Sequence, residues 1–510
     1  MSHFSVPAEI LVQIFELAID DDGLFNHTLP TVMSESCWEL DRYEDQWTLI
    51  SPVNALHRKQ QRTYAAIKAL LYTCRQWYRV GYHLLFRFLF VVEPSKLPSL
   101  CFALDRNSSL GWYVRRLHIY RFYATRRSTL SELEVMVVSI IHQCPNLESF
   151  TVDWPIAPSF FPIADALCTF STKSLRSIHW SLTPAALPRL IWALDSLPSL
   201  VSAFINLDPP PQSTLVGDAD DKTLLLGSAG GLAITMPSLK QLDLRGVSTD
   251  FLEQLIGWTL PVLESFSLDF VAQRHVLPDI IGFLKQHGSG LTFLDLNTIP
   301  AFDLSSVLDL CPVLTTFCFN PDWRLPFHAE ANSANPNAPQ PTLLRTPHAH
   351  ITHIGLHQLL HAFTPSVPRG MVPILSPVAT YLIQRTNDLT FTQLTRRFLP
   401  SLKVIRVLNR TLLRELEKSD GPEHKNGCFD RWRRWDEQCR REGVRLEDCT
   451  GALLGDLPDY EEEESDSEDE EDETVQPSNV SELKLLLEEC RKMTLGRQEP
   501  MIFPPPPMRW

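Results

Sequence analysis

The chain has 510 residues, of which 44% are hydrophobic, and its formal net charge is −15. Twelve acidic side chains and no basic one lie in residues 459–473, so the rest of the chain is close to neutral, at about −3. The sequence shows no basic patch that would favour nucleic acid binding. No apolar run reaches the roughly eighteen residues of a membrane span. The composition therefore predicts that the protein binds neither nucleic acid nor membrane.

Eleven cysteines are scattered along the chain without a C-x-x-C pair. This spacing indicates reduced thiols that pack as small apolar residues, which is typical of intracellular proteins. The apolar start of the chain is broken by Glu9 and Glu16, which argues against a secretion signal. We therefore expect a cytoplasmic or nuclear protein.

Residues 6–18 predict a short helix, in which Pro7 suits the first turn. A second helix is predicted from about Thr63 to Leu85, and an extended segment follows as far as Val91. The first helix has a broad apolar face, which comprises Ile10, Leu11, Ile14, Phe15, Leu17 and Ala18.

These segments resemble the F-box family. The family pattern opens with an L-P-x-E-[IL]-[IL]-x-x-I-[FL] helix, which residues 6–15 match with Val6 in place of leucine. Residues 73–77, T-C-R-Q-W, resemble the second helix of the pattern, V-C-[KR]-x-W, and residues 84–86 resemble its usual exit. We therefore assign residues 1–93 to an F-box-like helical module. An insertion at about residues 20–62 departs from the family and looks like a loop between the two halves.

The resemblance implies that Pro7, Ile10, Leu11, Ile14 and Phe15 belong to a surface that docks a Skp-type adaptor. In the family, such an adaptor bridges to a cullin-RING ubiquitin ligase. The insertion either leaves this surface open or covers it. A different interpretation is that the N-terminal helices only cap the body that follows.

The body of the chain repeats the pattern L-x-x-L-x-L. The copies that begin between positions 147 and 314 are mostly 23 to 28 residues apart, which is the period of leucine-rich repeats. Each repeat predicts a short parallel strand with a helix on the return path, so we expect an α/β leucine-rich-repeat solenoid over residues 94–455. The clearest copies begin at Leu239, Leu263, Leu291 and Leu314, and weaker ones at Val114, Leu147, Leu175, Leu200, Ile351 and Leu402.

F-box helices followed by degenerate repeats resemble a divergent, fungal-type F-box and leucine-rich-repeat protein. Two stretches break the period, and loops are expected there, at about residues 208–235 and 326–342. The repeats end with a predicted helix over residues 429–441, whose apolar face carries Trp432, Trp435 and Cys439. A last short strand follows over residues 444–446.

The end of the chain differs from the body in composition. Residues 456–479 predict an acidic disordered linker, because they cannot bury enough apolar surface to fold. Ser465 and Ser467 in this linker precede acidic residues and are candidate phosphorylation sites. Residues 480–510 predict a short amphipathic helix and a proline-rich end.

The chain contains no P-loop, dinucleotide-binding, G-x-S-x-G or H-E-x-x-H motif. The strand pattern at residues 351–356 interrupts the helical spacing of the densest histidine group, and no carboxylate or cysteine lies nearby in sequence. We therefore expect no metal, no cofactor and no catalytic residue. That histidine group comprises His348, His350, His353, His357 and His361.

The leading hypothesis is a substrate-recognition subunit of an SCF-type cullin-RING ubiquitin ligase, with a Skp-type adaptor and a cullin as partners. The repeat surface would bind the protein substrate, whose identity one sequence does not reveal. The alternative hypothesis is a non-catalytic leucine-rich-repeat scaffold for protein interactions. An enzyme is the least supported of the three hypotheses.

Overall fold

A computed structural model of the chain falls into two units, Met1–Leu457 and Pro458–Trp510. Several predicted segments lie outside the described residues. They are the linker at 456–479, which contains Ser465 and Ser467, the C-terminal segment 480–510, the loop at 326–342 and most of the loop at 208–235. None of the described helices has the length and apolarity needed to span a membrane. The structure describes residues 7–19, 24–41, 46–207, 226–246, 249–270, 279–297, 304–323, 344, 346–363, 377–410, 412 and 428–454.

Three N-terminal helices pack around Phe15. Its ring is fully buried and lies edge-to-face against Trp77, with ring centroids 5.1 Å apart. Gly81 allows this close approach, because a Cβ there would lie 2.7 Å from Leu71 Cδ2 and 2.9 Å from Phe15 Cδ2. The helices are α1, α2 and α3, which span Ala8–Ala18, Pro52–Tyr72 and Arg75–Gly81.

The prediction of one continuous helix from Thr63 to Leu85 is wrong, because the chain breaks at Cys74. This residue has an extended backbone, with φ of −158° and ψ of 165°. Its Sγ accepts a hydrogen bond from the backbone N–H of Trp77 at 3.4 Å. This local bond caps α3, so a new helix begins where the sequence pattern alone suggested continuation.

The insertion at about residues 20–62 is not a plain loop. It contains an antiparallel hairpin of two strands, β1 (Cys37–Asp41) and β2 (Gln46–Ile50), and the first half of α2. Ser51 starts that helix, because its side chain accepts a hydrogen bond from the N–H of Asn54 at 3.1 Å. The described part of the insertion is therefore an extension of the helical module with secondary structure of its own.

In the described part of the chain, twelve parallel strands form one sheet. Each strand pairs with the strands that precede and follow it in the chain, so the order in the sheet is the order in the sequence. The twelve strands, β3 to β14, are Phe88–Val91, Arg116–Ile119, Ser149–Val152, Ser177–Leu182, Ser202–Leu207, Gln241–Gly246, Ser265–Phe270, Phe293–Leu296, Thr316–Phe319, His353–Leu356, Val404–Val407 and Arg445–Glu447.

The strands confirm the predicted L-x-x-L-x-L copies. Each of the ten copies is followed, two residues after its first apolar residue, by the start of one of the strands β4 to β13. The register aligns equivalent apolar residues, since Leu242 pairs with Phe266, which pairs with Leu294, which pairs with Phe317. All four side chains are at most 2% exposed. The mixed α/β architecture thus follows from the spacing of these residues.

The segments between strands carry helices that add to the same core. Phe160 lies edge-to-face against Trp180 at 5.3 Å, and Phe391 stacks on Trp435 at 4.0 Å. The predicted helix over residues 429–441 is confirmed, with Trp435 and Cys439 buried as expected. The helices α4 to α13 are Leu97–Arg106, Leu130–Gln143, Phe160–Phe170, Leu187–Asp195, Thr249–Ile256, Ile280–His287, Leu304–Asp309, Leu360–Phe363, Pro377–Thr392 and Cys428–Glu442.

Replacement of Gly246 at the end of β8 should destabilise the sheet. Its φ is +83°, and a Cβ there would lie 2.1 Å from the carbonyl oxygen of Leu207. We expect Gly246→Ala to cost about 1–3 kcal/mol and to lower the Tm in a thermal melt. Gly257→Ala is the matched control, because its Cβ would come no closer than 3.6 Å to Gln254 O. Equal melting of the two variants would contradict the prediction.

Candidate functional site

Side chains along each strand of the sheet alternate between its two faces. Leu242 and Leu244 enter the core, and Asp243 between them lies on the opposite face. That opposite face is the polar face. Its central row, in register order, is His118, Thr151, His179, Phe204, Asp243, Ser267, Asp295, Cys318, Gly355, Arg406 and Glu447.

Residues 24–36 of the insertion, here named the strap, cross the polar face from β4 to the end of β14. Most of its hydrogen bonds to the sheet join strap backbone to sheet side chains. The contacts are Arg116 Nη1 to Leu24 O at 3.0 Å, Ser202 Oγ to His27 O, Leu29 N–H to Gln241 Oε1 at 2.8 Å, Gln241 Nε2 to Leu29 O at 3.0 Å, Arg406 Nη1 to Met33 O at 2.6 Å and Ser36 N–H to Cys449 O at 2.9 Å.

A buried ion pair holds the distal end of the strap. Arg406 Nε and Nη2 donate to Glu447 Oε2 at 3.1 and 2.6 Å, and both residues are buried. The remaining terminal nitrogen of Arg406 donates to Met33 O. Each member of the pair has a second partner of opposite charge, since Glu35 Oε1 lies 3.5 Å from Arg406 Nη2 and Arg445 Nη2 lies 3.1 Å from Glu447 Oε1. The distal end of the strap is therefore hydrogen-bonded to an arginine that the sheet already uses in an ion pair.

Carboxylates are buried in the middle of the polar face. Asp295 Oδ1 lies 2.7 Å from His357 Nε2, and both side chains are almost fully buried. Asp243 Oδ1 lies 3.4 Å from Arg245 Nε. Burial raises the pKa of Asp243 to about 6, and Arg245 offsets only part of that rise.

A cluster of histidines and one aspartate joins α2 to the sheet. His118 Nε2 of β4 lies 2.7 Å from Asp153 Oδ2, and His57 Nε2 of α2 lies 3.5 Å from the same oxygen. His179 Nδ1 of β6 lies 3.8 Å from Asp153 Oδ1. Burial lowers the pKa of His57 and that of His179 to about 4, and it also lowers the pKa of His118. These imidazoles are therefore neutral near neutral pH.

This cluster was not predicted from the sequence. His118 and His179 occupy the central polar position of their L-x-x-L-x-L copies, between Leu117 and Ile119 and between Ile178 and Trp180. A comparison of those central positions would have placed the two histidines on one face of the sheet. No sequence pattern indicated that His57 of the insertion lies against them.

The structure divides the five residues predicted to dock an adaptor. Pro7 lies exposed before α1, and the side chains of Ile10 and Ile14 are 44% and 45% exposed. Leu11 and Phe15 are 4% and 0% exposed, so the prediction that they belong to the docking surface needs correction. They face inward because they pack with α2 and α3.

The exposed apolar face of α1 includes a residue that the prediction did not name. Leu17 is 88% exposed and follows Ile10 and Ile14 at helical spacing. The described residues of the insertion leave all three side chains accessible, because the strap lies on the sheet. These three side chains are the α1 apolar stripe.

The densest histidine group of the sequence does not form one site in the described structure. His353 begins β12, which confirms that a strand interrupts the helical spacing. His357 bonds to Asp295, whereas His348 Nε2 bonds to the carbonyl oxygen of Cys311 at 2.9 Å.

Comparison with known proteins gives little further guidance. No protein-family model matches the chain, and no curated protein matches it. Among solved structures, a chain in the crystal structure of the Rad7 and Elc1 complex in yeast is 14% identical, and the alignment covers 70% of this chain and 90% of that one. The TM-score is 0.25, which is too low to decide either fold or function.

Loss of the Gln241 side chain should loosen the strap. Gln241→Ala removes both hydrogen bonds to Leu29, and a net loss of about 1–1.5 kcal/mol corresponds to roughly tenfold faster amide exchange of the strap. Hydrogen exchange read by mass spectrometry measures this rate. Ser265→Ala is the matched control, because Ser265 is the register neighbour of Gln241 and its Oγ has no hydrogen-bond partner among the described residues. Unchanged exchange in Gln241→Ala would refute the assignment.

The carboxyl of Asp243 should make the folded state less stable as the pH rises. Between about pH 4 and 6 the folded state keeps a proton on this carboxyl that the unfolded state has released. The contribution of Asp243 to the free energy of unfolding therefore falls as the pH rises through 6. The pKa change from 3.8 to about 6 corresponds to roughly 3 kcal/mol. Asp243→Asn stays neutral, so its Tm should rise relative to the parent between pH 4 and pH 7. A constant difference in Tm would contradict this.

Proposed function

We propose that this chain is the substrate-recognition subunit of an SCF-type cullin-RING ubiquitin ligase. The α1 apolar stripe binds a Skp-type adaptor, the adaptor links the chain to a cullin, and the exposed edge of the sheet at the carboxyl ends of its strands binds a protein substrate. The protein has no catalytic residue of its own in this scheme. It acts by holding the substrate near the ligase.

The exposure of the α1 apolar stripe is the observation that carries this proposal. Ile10, Ile14 and Leu17 present apolar surface to solvent on a helix whose other side is fixed by Leu11 and Phe15. Covering the exposed parts of the three side chains would contribute about 3 kcal/mol. The helix is already ordered before a partner binds, so little of this gain is lost to ordering.

The sheet offers a second surface suited to a protein partner. Tyr120, Tyr123 and Trp154 are 36%, 37% and 39% exposed at the carboxyl ends of β4 and β5. The rings of Tyr123 and Trp154 lie 5.8 Å apart, and the Arg121 guanidinium lies 5.6 Å from the ring of Tyr120. Tyrosine, tryptophan and arginine are the side chains that most often dominate binding energy at protein interfaces. We assign substrate binding to this edge.

Ile14→Asp should abolish adaptor binding without unfolding the protein. Ile14 is 45% exposed, so a charge there is solvated in the free chain but would be buried unpaired against an apolar partner. We expect co-purification with a Skp-type adaptor to fall at least about tenfold, which corresponds to 1.4 kcal/mol or more. A pull-down of the tagged chain with purified adaptor measures the effect.

Val135→Asp is the matched control, because Val135 is an exposed apolar residue on α5, with 63% exposure. It should bind the adaptor like the parent. A point variant is preferable to removal of residues 1–92, since that truncation would also remove the strap and β3 from the sheet. Binding of Ile14→Asp at the parent level would refute the proposed docking surface.

The alternative proposal is a non-catalytic interaction scaffold whose N-terminal helices cap the sheet. The observation that favours it is the close integration of the N-terminal region, because β3 pairs with β4 and the strap spans the polar face. Under this proposal neither the parent nor Val135→Asp binds a Skp-type adaptor. The same pull-down therefore separates the two functions.

A further inference from the structure

Three metal-ligating side chains converge from three separate elements. His57 comes from α2, His118 from β4 and Asp153 from the residue after β5, and one donor atom of each lies within 4.8 Å of the others. They are hereafter the His–Asp cluster. A convergence of this kind requires the helical module and the sheet to pack together, so it is a property of the tertiary structure.

The distances in the His–Asp cluster suit zinc. Two ligand atoms at 2.0–2.1 Å from a tetrahedral zinc ion lie about 3.4 Å apart. His57 Nε2 and Asp153 Oδ2 are already 3.5 Å apart. His118 Nε2 is hydrogen-bonded to the same oxygen at 2.7 Å and would move away by about 0.7 Å, which small side-chain rotations permit.

The ring of His118 can present a lone pair to a cation. It is 0% exposed, and its Nδ1 has no hydrogen-bond partner among the described residues. In the metal-free chain, Asp153 Oδ2 accepts a hydrogen bond from the Nε2–H of His118. When a cation takes the place of that proton, the neutral ring carries its proton on Nδ1 and Nε2 ligates.

A fourth ligand is available on two sides of the cluster. His179 Nδ1 lies 3.8 Å from the second carboxylate oxygen of Asp153, and about a fifth of its side chain is exposed. Asp153 has a similar exposure of 18%, so solvent also reaches the carboxylate. Either the imidazole of His179 or a water molecule can complete four-coordination.

We propose that His57, His118 and Asp153 bind one Zn²⁺ ion, which fastens α2 of the helical module to β4 and β5 of the sheet. Imidazole nitrogen and carboxylate oxygen are ligands that zinc accepts in tetrahedral sites. The ion fixes the helical module relative to the sheet and does not take part in a reaction. The site stands independently of the proposed ligase function.

Zinc titration of the intact chain tests the site. The chain is first stripped with a chelator, and Zn²⁺ alone is then added in competition with a chromophoric chelator. We expect one tightly bound equivalent and a rise in Tm on zinc addition. In Asp153→Asn and in His57→Gln, the zinc affinity should fall roughly tenfold or more, and the rise in Tm at the same zinc concentration should be correspondingly smaller.

His348→Gln is the matched control. Like His118, His348 is a buried histidine with one bonded ring nitrogen and an Nδ1 without a partner among the described residues, but it lies outside the cluster. This variant should bind zinc with the affinity of the parent. Circular dichroism of each stripped variant establishes that it is folded before titration.

Substitution by Co²⁺ identifies the ligands. Binding at the His–Asp cluster should give visible ligand-field bands without the near-ultraviolet charge-transfer band of a cobalt–thiolate bond. A thiolate band would instead assign the metal to cysteines such as the exposed Cys37 and Cys74 and would overturn the proposal. Absence of zinc binding in the parent, or parent-like affinity in both cluster variants, would also overturn it.

Discussion

The alternation of apolar and polar side chains along the twelve parallel strands of the described sheet is the constraint on which the rest of the structure depends. A slip of one residue in β8 would carry Leu242 and Leu244 to the polar face and Asp243 into the core. The register is therefore strongly specified, and it aligns the apolar residues of successive strands on one face. The same register necessarily aligns a row of polar groups on the other face, including His118, Asp243 and Arg406.

The strap depends on that polar row. Its backbone bonds to side chains of β4, β7, β8 and β13, so each contact exists only because the strands are in register. Buried carboxylates and ion pairs lie on the same face, where the cost of an unpaired charge is high. The insertion thus acts as a brace, and it makes the helical module and the sheet parts of the same folded unit.

This bracing bears on how the protein would work. A receptor that acts by proximity needs its two binding surfaces held at a fixed separation. The α1 apolar stripe belongs to the helical module, and the aromatic edge at Tyr123 and Trp154 belongs to the sheet. The strap and the His–Asp cluster both connect these parts, one through hydrogen bonds and the other through the proposed zinc ion. Loss of this coupling would leave both surfaces intact but allow their relative orientation to vary.

The strand positions could be predicted from the sequence alone, because an L-x-x-L-x-L copy places its apolar residues on one face whatever surrounds it. The last helix and the apolar face of α1 could be predicted too, since both follow from helical spacing. The ends of α2 were harder to predict from the sequence, because they depend on the competing local hydrogen bonds of Ser51 and Cys74.

Tertiary packing determines which residues of α1 are exposed, because the sequence pattern cannot distinguish the side of a broad apolar face that meets α3 from the side that meets solvent. Tertiary packing also determines the path of the strap and brings His57 close to His118 and Asp153. Leu29 and Gln241 are 212 residues apart, and Met33 and Arg406 are 373 residues apart. Contacts at such separations depend on the pairing of every intervening strand, and no local pattern records them.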